Sequence, residues 1–280
     1  MTVISLTTDF GTADGYVGEL KGVLLSHAPG ARLVDVTHEV EPGDVEGGAW
    51  LLARIWERYP PGTVHLVVVD PGVGGARLPL AARAAERWFV GPDNGLLSLI
   101  SRRHPVEEAR RLDAERMAVP TLSDTFHGRD LFAPAAAHLA RGGEAGDLGP
   151  ALDSAGLVRL SLPEPERSEA RIRGEILRVD RFGNLISNVP TAWLPDRPAV
   201  EIAGARLETV GRGYGDGELG ELLLIRGSGG MLEIAARGGS AAVRLGAGRG
   251  EPLVVRSVGS AALPSAEPTR ARRRGSSASC

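Results

Sequence analysis

Asp70, Arg77 and His127 carry side chains that together can handle a water nucleophile. Asp70 closes the run His65-Leu-Val-Val-Val-Asp70 and is followed by Pro-Gly-Val-Gly-Gly-Ala-Arg77. His127 stands in Thr125-Phe-His-Gly-Arg-Asp130, a polar loop that leads into an alanine-rich stretch. An imidazole near the start of a helix suits a general base, an acid at a strand end can orient it, and an arginine stays cationic and favours a hydroxide-like nucleophile. The same residue types also fit a plainer arrangement, an Asp70–Arg77 salt bridge within one loop and a surface His127. Asp9, in Thr8-Asp9-Phe10-Gly11, occupies the same kind of strand-end position as Asp70, or else caps the helix that follows.

A second set lies further along, in Asp180-Arg-Phe182-Gly-Asn184 and Gly227-Ser228-Gly-Gly-Met-Leu-Glu233. A phenylalanine can stack on a planar base, and an asparagine amide offers both a donor and an acceptor to its edge. Both stretches also read as tight turns.

Two common chemistries are poorly matched. Gly72-Val-Gly74-Gly-Ala-Arg77 has arginine where a dinucleotide fingerprint needs its last glycine, and a strand rather than a helix is expected next. Asp9, Asp70, His127 and Asp130 have no metal-binding spacing, and the one cysteine, Cys280, is the last residue, so no metal or cofactor is expected.

The elements that must position these groups follow from the apolar pattern. Strands are expected over 3–6, 31–36, 64–69, 78–85 and 88–90, and helices over 16–27, 45–59 (with Asp44 as N-cap) and 96–102. Residues 91–95 read as a turn, and the alanine-rich helix ends near Gly142. The run before Asp70 lacks polar alternation, which marks a strand covered on both faces, and in open parallel sheets the loops after such strands carry the chemistry. Residues 1–159 therefore read as a three-layer α/β/α domain with a mostly parallel sheet.

Residues 160–169, with two prolines and several acids, read as a linker. Short strands at about 170–179, 185–189, 199–202, 222–225, 231–235 and 253–255 then predict a small all-β sandwich or barrel-like domain over 170–258. The Ala-, Ser- and Arg-rich tail 259–280 is expected to be disordered.

The chain has 280 residues, 42% of them hydrophobic and 24% charged, which is ordinary globular composition. A net charge of −3 gives no basic footprint for nucleic acid, and no apolar run approaches the roughly 20 residues of a membrane span. With no leader-like start, a cytoplasmic protein is expected.

Taken in order, Thr8-Asp9-Phe10-Gly11, Val69-Asp70-Pro-Gly-Val-Gly74 with Arg77, Gly91-Pro-Asp-Asn94-Gly95, Thr125-Phe-His127-Gly-Arg-Asp130, Asp180-Arg-Phe182-Gly-Asn184 and Gly227-Ser228-Gly-Gly resemble one family. It is that of the S-adenosyl-L-methionine hydroxide adenosyltransferases, relatives of fluorinase and chlorinase. The resemblance implies attack of water on the ribose C5′ of S-adenosylmethionine, releasing adenosine and L-methionine, without a metal. It implies that Asp70, Arg77 and His127 position and activate the water. By the same resemblance Asp9 meets the ribose hydroxyls, Asp180 the methionine ammonium, Asn184 the adenine, and Phe182 walls the pocket. Ser228 matches a serine that holds the methionine carboxylate, although Gly229 follows it where the halogenases have arginine. Asn94 is counted with the substrate-binding residues.

The resemblance further implies a homotrimer with the ligand held between subunits. The halogenases carry tyrosines at the positions of Asp70 and His127 and a serine at that of Gly128, which favours hydrolysis here over a 5′-halogenase. A sensor that binds S-adenosylmethionine or adenosine without turnover is the alternative from another class.

Overall fold

The computed structural model describes residues 2–258; the tail expected to be disordered lies outside them. The chain divides into two units, the first ending at Leu162 and the second beginning at Pro163.

The first unit opens with β1 (Val3–Thr8), α1 (Tyr16–His27), β2 (Arg32–Thr37), α2 (Val45–Ile55) and β3 (Val64–Val68). It continues with β4 (Leu78–Ala84), β5 (Arg87–Asp93), a short α3 (Ser98–Ser101), β6 (Glu108–Arg111) and α4 (Ala133–Ala140). The six strands lie in the order β2-β1-β3-β5-β4-β6. Strands β2, β1, β3 and β5 run parallel, while β4 is antiparallel to β5 and to β6.

Strand β3 shows why its sequence lacks alternation. Val64, Leu66 and Val68 join Leu20 and Leu24 of α1 and the alanines of α4 in one core. Val67 and Val69 face the other way, into a core with Leu52 of α2, Trp56 and Phe89. A strand buried on both faces carries apolar residues on both, and its one polar member, His65, is buried against Ser5 of β1. Ala133, Ala135, Ala136 and Ala137 are fully buried, and their small side chains let α4 lie close to the sheet. Asp44 accepts a hydrogen bond from the Gly47 amide (3.0 Å) and caps α2 as its sequence position implies.

The structure corrects several boundaries. Residues 91–93 are not a turn but the end of β5, in register with β4 through Gly91↔Leu80 and Asp93↔Leu78. The Gly-Pro pair reads as a turn signal, yet Gly91 is needed because a Cβ there would strike the Val67 carbonyl of the neighbouring strand. Helix α2 stops at Ile55 and tightens into a 3₁₀ turn over Trp56–Arg58. Strand β6, Glu-Ala-Arg-Arg, is too polar to show a strand pattern and exists because β4 offers it a pairing edge.

The second unit contains β7 (Glu166–Arg167), β8 (Ile172–Val179), β9 (Leu185–Pro190), β10 (Pro198–Ile202), β11 (Ala205–Leu207) and β12 (Val210–Gly211). It ends with β13 (Leu222–Arg226), β14 (Met231–Ala236), the single-turn helix α5 (Ala241–Leu245) and β15 (Pro252–Ser257). The strands form one sheet, β11-β10-β15-β8-β9-β14-β13-β12, with β7 added beside β8. One core gathers Ile176, Leu185, Val200, Leu207, Leu224, Ile234 and Val255 from across that sheet. Residues from both ends of the strand order meet there, so the sheet curls around its own apolar face. Part of the stretch expected to be a linker is thus in the sheet, as β7 pairs with β8.

Candidate functional site

The loops after β1, β2 and β3 converge at the carboxyl ends of the parallel strands. Asp9, just past β1, accepts a hydrogen bond from the Gly43 amide at 2.9 Å. Gly43 in turn lies against Pro71, where a Cβ would sit 3.5 Å from the ring. Asn94, just past β5, donates through Nδ2 to the Val69 carbonyl (2.8 Å) and so braces the residue before Asp70. Its Oδ1 is buried with no hydrogen-bond partner among the described residues.

Asp70 and Arg77 form a buried ion pair. Arg77 Nε donates to both carboxylate oxygens of Asp70 (3.0 and 2.9 Å), and Nη2 donates to Oδ2 at 2.5 Å. The side chains are 5% and 9% exposed, so the pair is held in a dry, low-dielectric setting where its hydrogen bonds count for more than at a surface. Nη2 also lies 2.8 Å from His127 Nδ1. Arg77 therefore stands between the acid and the imidazole. Both sequence readings meet here, since the salt bridge exists and His127 is tied to it, but Asp70 reaches His127 only through Arg77. The Phe132 ring backs the guanidinium at 5.4 Å.

His127 is carried by a separate loop that is fastened at several points. The Asp130 carboxylate accepts from the Ser123 amide (2.9 Å) and from Arg129 Nε (2.6 Å), and Arg129 Nη1 reaches Glu19 of α1 at 2.7 Å. Burial alone would raise the Asp130 pKa, but these hydrogen bonds outweigh it and hold the carboxyl below its usual range. Residues Gly128–Phe132 form a π-helical turn, a local irregularity that often marks a functional position. The two loops touch where Gly74, at φ +72°, passes the Asp124 backbone so closely that any Cβ would collide with its carbonyl oxygen.

His127 stays neutral more readily than an ordinary histidine. Burial lowers its pKa first and the Arg77 cation lowers it further, against weaker opposing pulls from Asp70, Asp124 and Asp130.

Aromatic residues next to the motif acids and bases were passed over in the sequence. Phe10, Tyr16 and Phe126 pack edge to face, with Phe10 and Phe126 centroids 5.6 Å apart and Tyr16 and Phe126 5.3 Å apart. Phe10 and Phe126 flank Gly128, whose hypothetical Cβ would lie 3.1 Å from the Phe10 ring and 3.4 Å from the Phe126 ring. The signal was present, because Phe10 follows Asp9 and Phe126 precedes His127.

In the second unit, Asp180 and Asn184 form one turn. Asp180 Oδ1 accepts from the Phe182 and Asn184 amides (both 2.9 Å), and Oδ2 accepts from Asn184 Nδ2 (2.9 Å). Asn184 is buried, whereas Phe182 projects at 78% exposure, an unusual position for a large apolar ring in a turn. Ser228 sits in the tight turn between β13 and β14, closed by the Gly230 amide donating to the Gly227 carbonyl at 2.9 Å. Nearby, the buried Glu233 accepts from the Tyr214 hydroxyl at 2.7 Å, a contact that sequence spacing could not disclose.

A three-layer α/β unit with an acid–arginine–histidine chain over its parallel strand ends, followed by a curled β-sheet unit, defines a two-unit class of protein. Models of the SAM hydroxide adenosyltransferase N-terminal and C-terminal domains match residues 4–149 and 174–254. The chain belongs to the SAM hydroxide adenosyltransferase family. It is 42% identical to a protein named (R)-S-adenosyl-L-methionine hydrolase from Salinispora arenicola, over 90% of this chain and 97% of that one. A protein of the same name from Thermus thermophilus is 41% identical, over 90% of this chain and 99% of its own. A fluorinase from Actinoplanes sp. is 31% identical, over 78% and 79% of the two chains. The crystal structure of an uncharacterized conserved protein from Thermotoga maritima superposes with a TM-score of 0.84 at 34% identity, covering 91% of this chain and all of that one.

Proposed function

We propose that this protein hydrolyses S-adenosyl-L-methionine at the ribose C5′, releasing adenosine and L-methionine. The observation that carries the reading is the hydrogen-bonded chain Asp70–Arg77–His127 in a member of this family. A charged pair and a neutral imidazole can hold one water in a fixed direction, and positioning of a nucleophile in a dry pocket is worth several kcal/mol of barrier. The sulfonium already makes methionine a good leaving group, so orientation, desolvation and proton removal suffice without a metal or other cofactor. The names of the relatives specify the (R) configuration at sulfur, and the same epimer is proposed as the substrate here.

Asp9 is suited to the ribose cis-diol, since a carboxylate can accept two hydrogen bonds while Gly43 holds it in place. Asp180, Phe182, Asn184 and Ser228 are assigned to the methionine ammonium, the pocket wall, the adenine and the methionine carboxylate. Asn94 is better suited to bracing the Asp70 loop, because its amide is committed to Val69. The assembly is proposed to be a homotrimer in the cytoplasm, with the ligand held where subunits meet; a monomeric mass in solution would overturn that part.

The test is incubation of purified protein with each sulfonium epimer, with and without chloride or fluoride, followed by chromatography of the nucleoside. Adenosine from the (R) epimer, unaffected by a chelator, is the expected result. A 5′-halogenated nucleoside would make it a halogenase. Unchanged substrate at stoichiometric protein would make it a binding protein.

A further inference from the structure

The ring of His127 has two nitrogens, and the structure commits one of them. Arg77 Nη2 carries only hydrogens toward its neighbours, and it lies 2.8 Å from Nδ1. A guanidinium nitrogen cannot accept a hydrogen bond, so this contact requires a lone pair on Nδ1. Turning the ring over would place a C–H group at the same short distance from an N–H, which is repulsive, so the orientation is set by the contact itself. The proton of the neutral ring is then on Nε2, which has no protein partner among the described residues.

We infer that His127 acts as a fixed Nε2–H hydrogen-bond donor to the attacking water, and that it is not the base that removes the water's proton. This rests on the hydrolytic reading above and deepens it. Arg77 is the positioning residue, because the guanidinium that pairs with Asp70 also dictates which ring nitrogen is protonated. A donor at Nε2 occupies one lone pair of the water oxygen and leaves the other to meet C5′. As the new C–O bond forms, the C5′–S bond breaks and its electron pair stays on sulfur, giving neutral methionine thioether. The protonated oxygen on C5′ is a far stronger acid than any carboxylic acid. Its proton passes to solvent water, leaving adenosine. A strong base is not required, and a protonated imidazole facing a sulfonium cation is avoided.

The tautomer can be read directly by heteronuclear NMR of the full-length protein carrying isotope-labelled histidine nitrogens. The His127 signals are identified by their loss in His127→Gln. The expected result at neutral pH is a protonated Nε2 and a bare Nδ1, and a protonated Nδ1 or an imidazolium would overturn the inference. In Arg77→Met, which removes the donor, the preference should relax toward a mixture of tautomers; an unchanged tautomer would show that Arg77 does not set it.

Activity supplies a second arm. The amide of glutamine can accept from Arg77 and donate to water, so His127→Gln should keep turnover within about tenfold of the native protein while His127→Ala loses about 10²-fold or more. Equal loss in both would point to a base. Failure of the native protein to hydrolyse S-adenosylmethionine would sink the functional reading, whereas the tautomer is measured either way.

Discussion

Arg77 is the residue on which the trio depends, because it alone touches both partners. Lysine keeps the charge but lacks the planar fork, so it cannot reproduce the Nε contacts that fix the guanidinium on the Asp70 carboxylate. Arg77→Lys should fold and lose turnover by about 10²-fold, checked by steady-state kinetics, with kcat falling more than KM rises. An enzyme at full rate would show that the fork is dispensable. His127 is used as the neutral ring, and its pKa is lowered by burial and by Arg77. Activity should therefore persist as pH falls past the ordinary histidine value of 6.5 and decline only below it. An acid limb above that value would contradict the environment described for His127.

The loops matter as much as the side chains they carry. Gly74 joins the Asp70–Arg77 loop to the Asp124–His127 loop at a positive φ and with no room for a Cβ, whereas Gly62, also at positive φ, has open space around it at the other end of β3. Both alanine variants store backbone strain of about 1–3 kcal/mol. Only Gly74→Ala should also separate the loops. Equilibrium denaturation and turnover measured on both variants should show the larger loss of stability in Gly74→Ala, with turnover collapsing in that variant alone; parallel effects would count against the contact. At this scale the strands and helices were largely legible, because β3 is apolar but for His65 and α2 is amphipathic with a capping aspartate. Strands such as β6, β7 and β12 were not, since they are too short or polar for a pattern and form only where an edge accepts them. Residues 91–93 misled for a related reason, as local turn chemistry there is overridden by pairing with β4.

For the whole molecule, the two units have separate apolar cores. A fragment of residues 1–162 should accordingly unfold cooperatively by itself and yet fail to turn over substrate, which calorimetry and the nucleoside assay would check. A fragment without a cooperative transition would refute its autonomy. The centre of the first sheet also carries a pH liability. His65 is fully buried, stacked on Phe89 at 5.1 Å and bonded to Ser5, with a pKa pushed down to about 3 by burial and then by Arg87. The unfolded chain binds a proton near 6.5, where the folded chain does not. Stability is thus complete above that pH and is lost progressively as pH falls toward about 3. Urea melts across this window should show the slope flattening in His65→Gln, and an unaltered slope would exclude His65 as its source.

By itself the sequence determined the two-unit plan, the motif residues and the family to which they belong. Those properties rest on local periodicity and on residue types at short spacing, both of which survive in one dimension. The tertiary structure alone decided that Arg77 lies between Asp70 and His127, that Asn94 braces Val69, and that Gly74 locks two loops together. Each of these joins segments that are distant in the chain or held by packing, and a contact made through space leaves no periodic trace in the residues that make it.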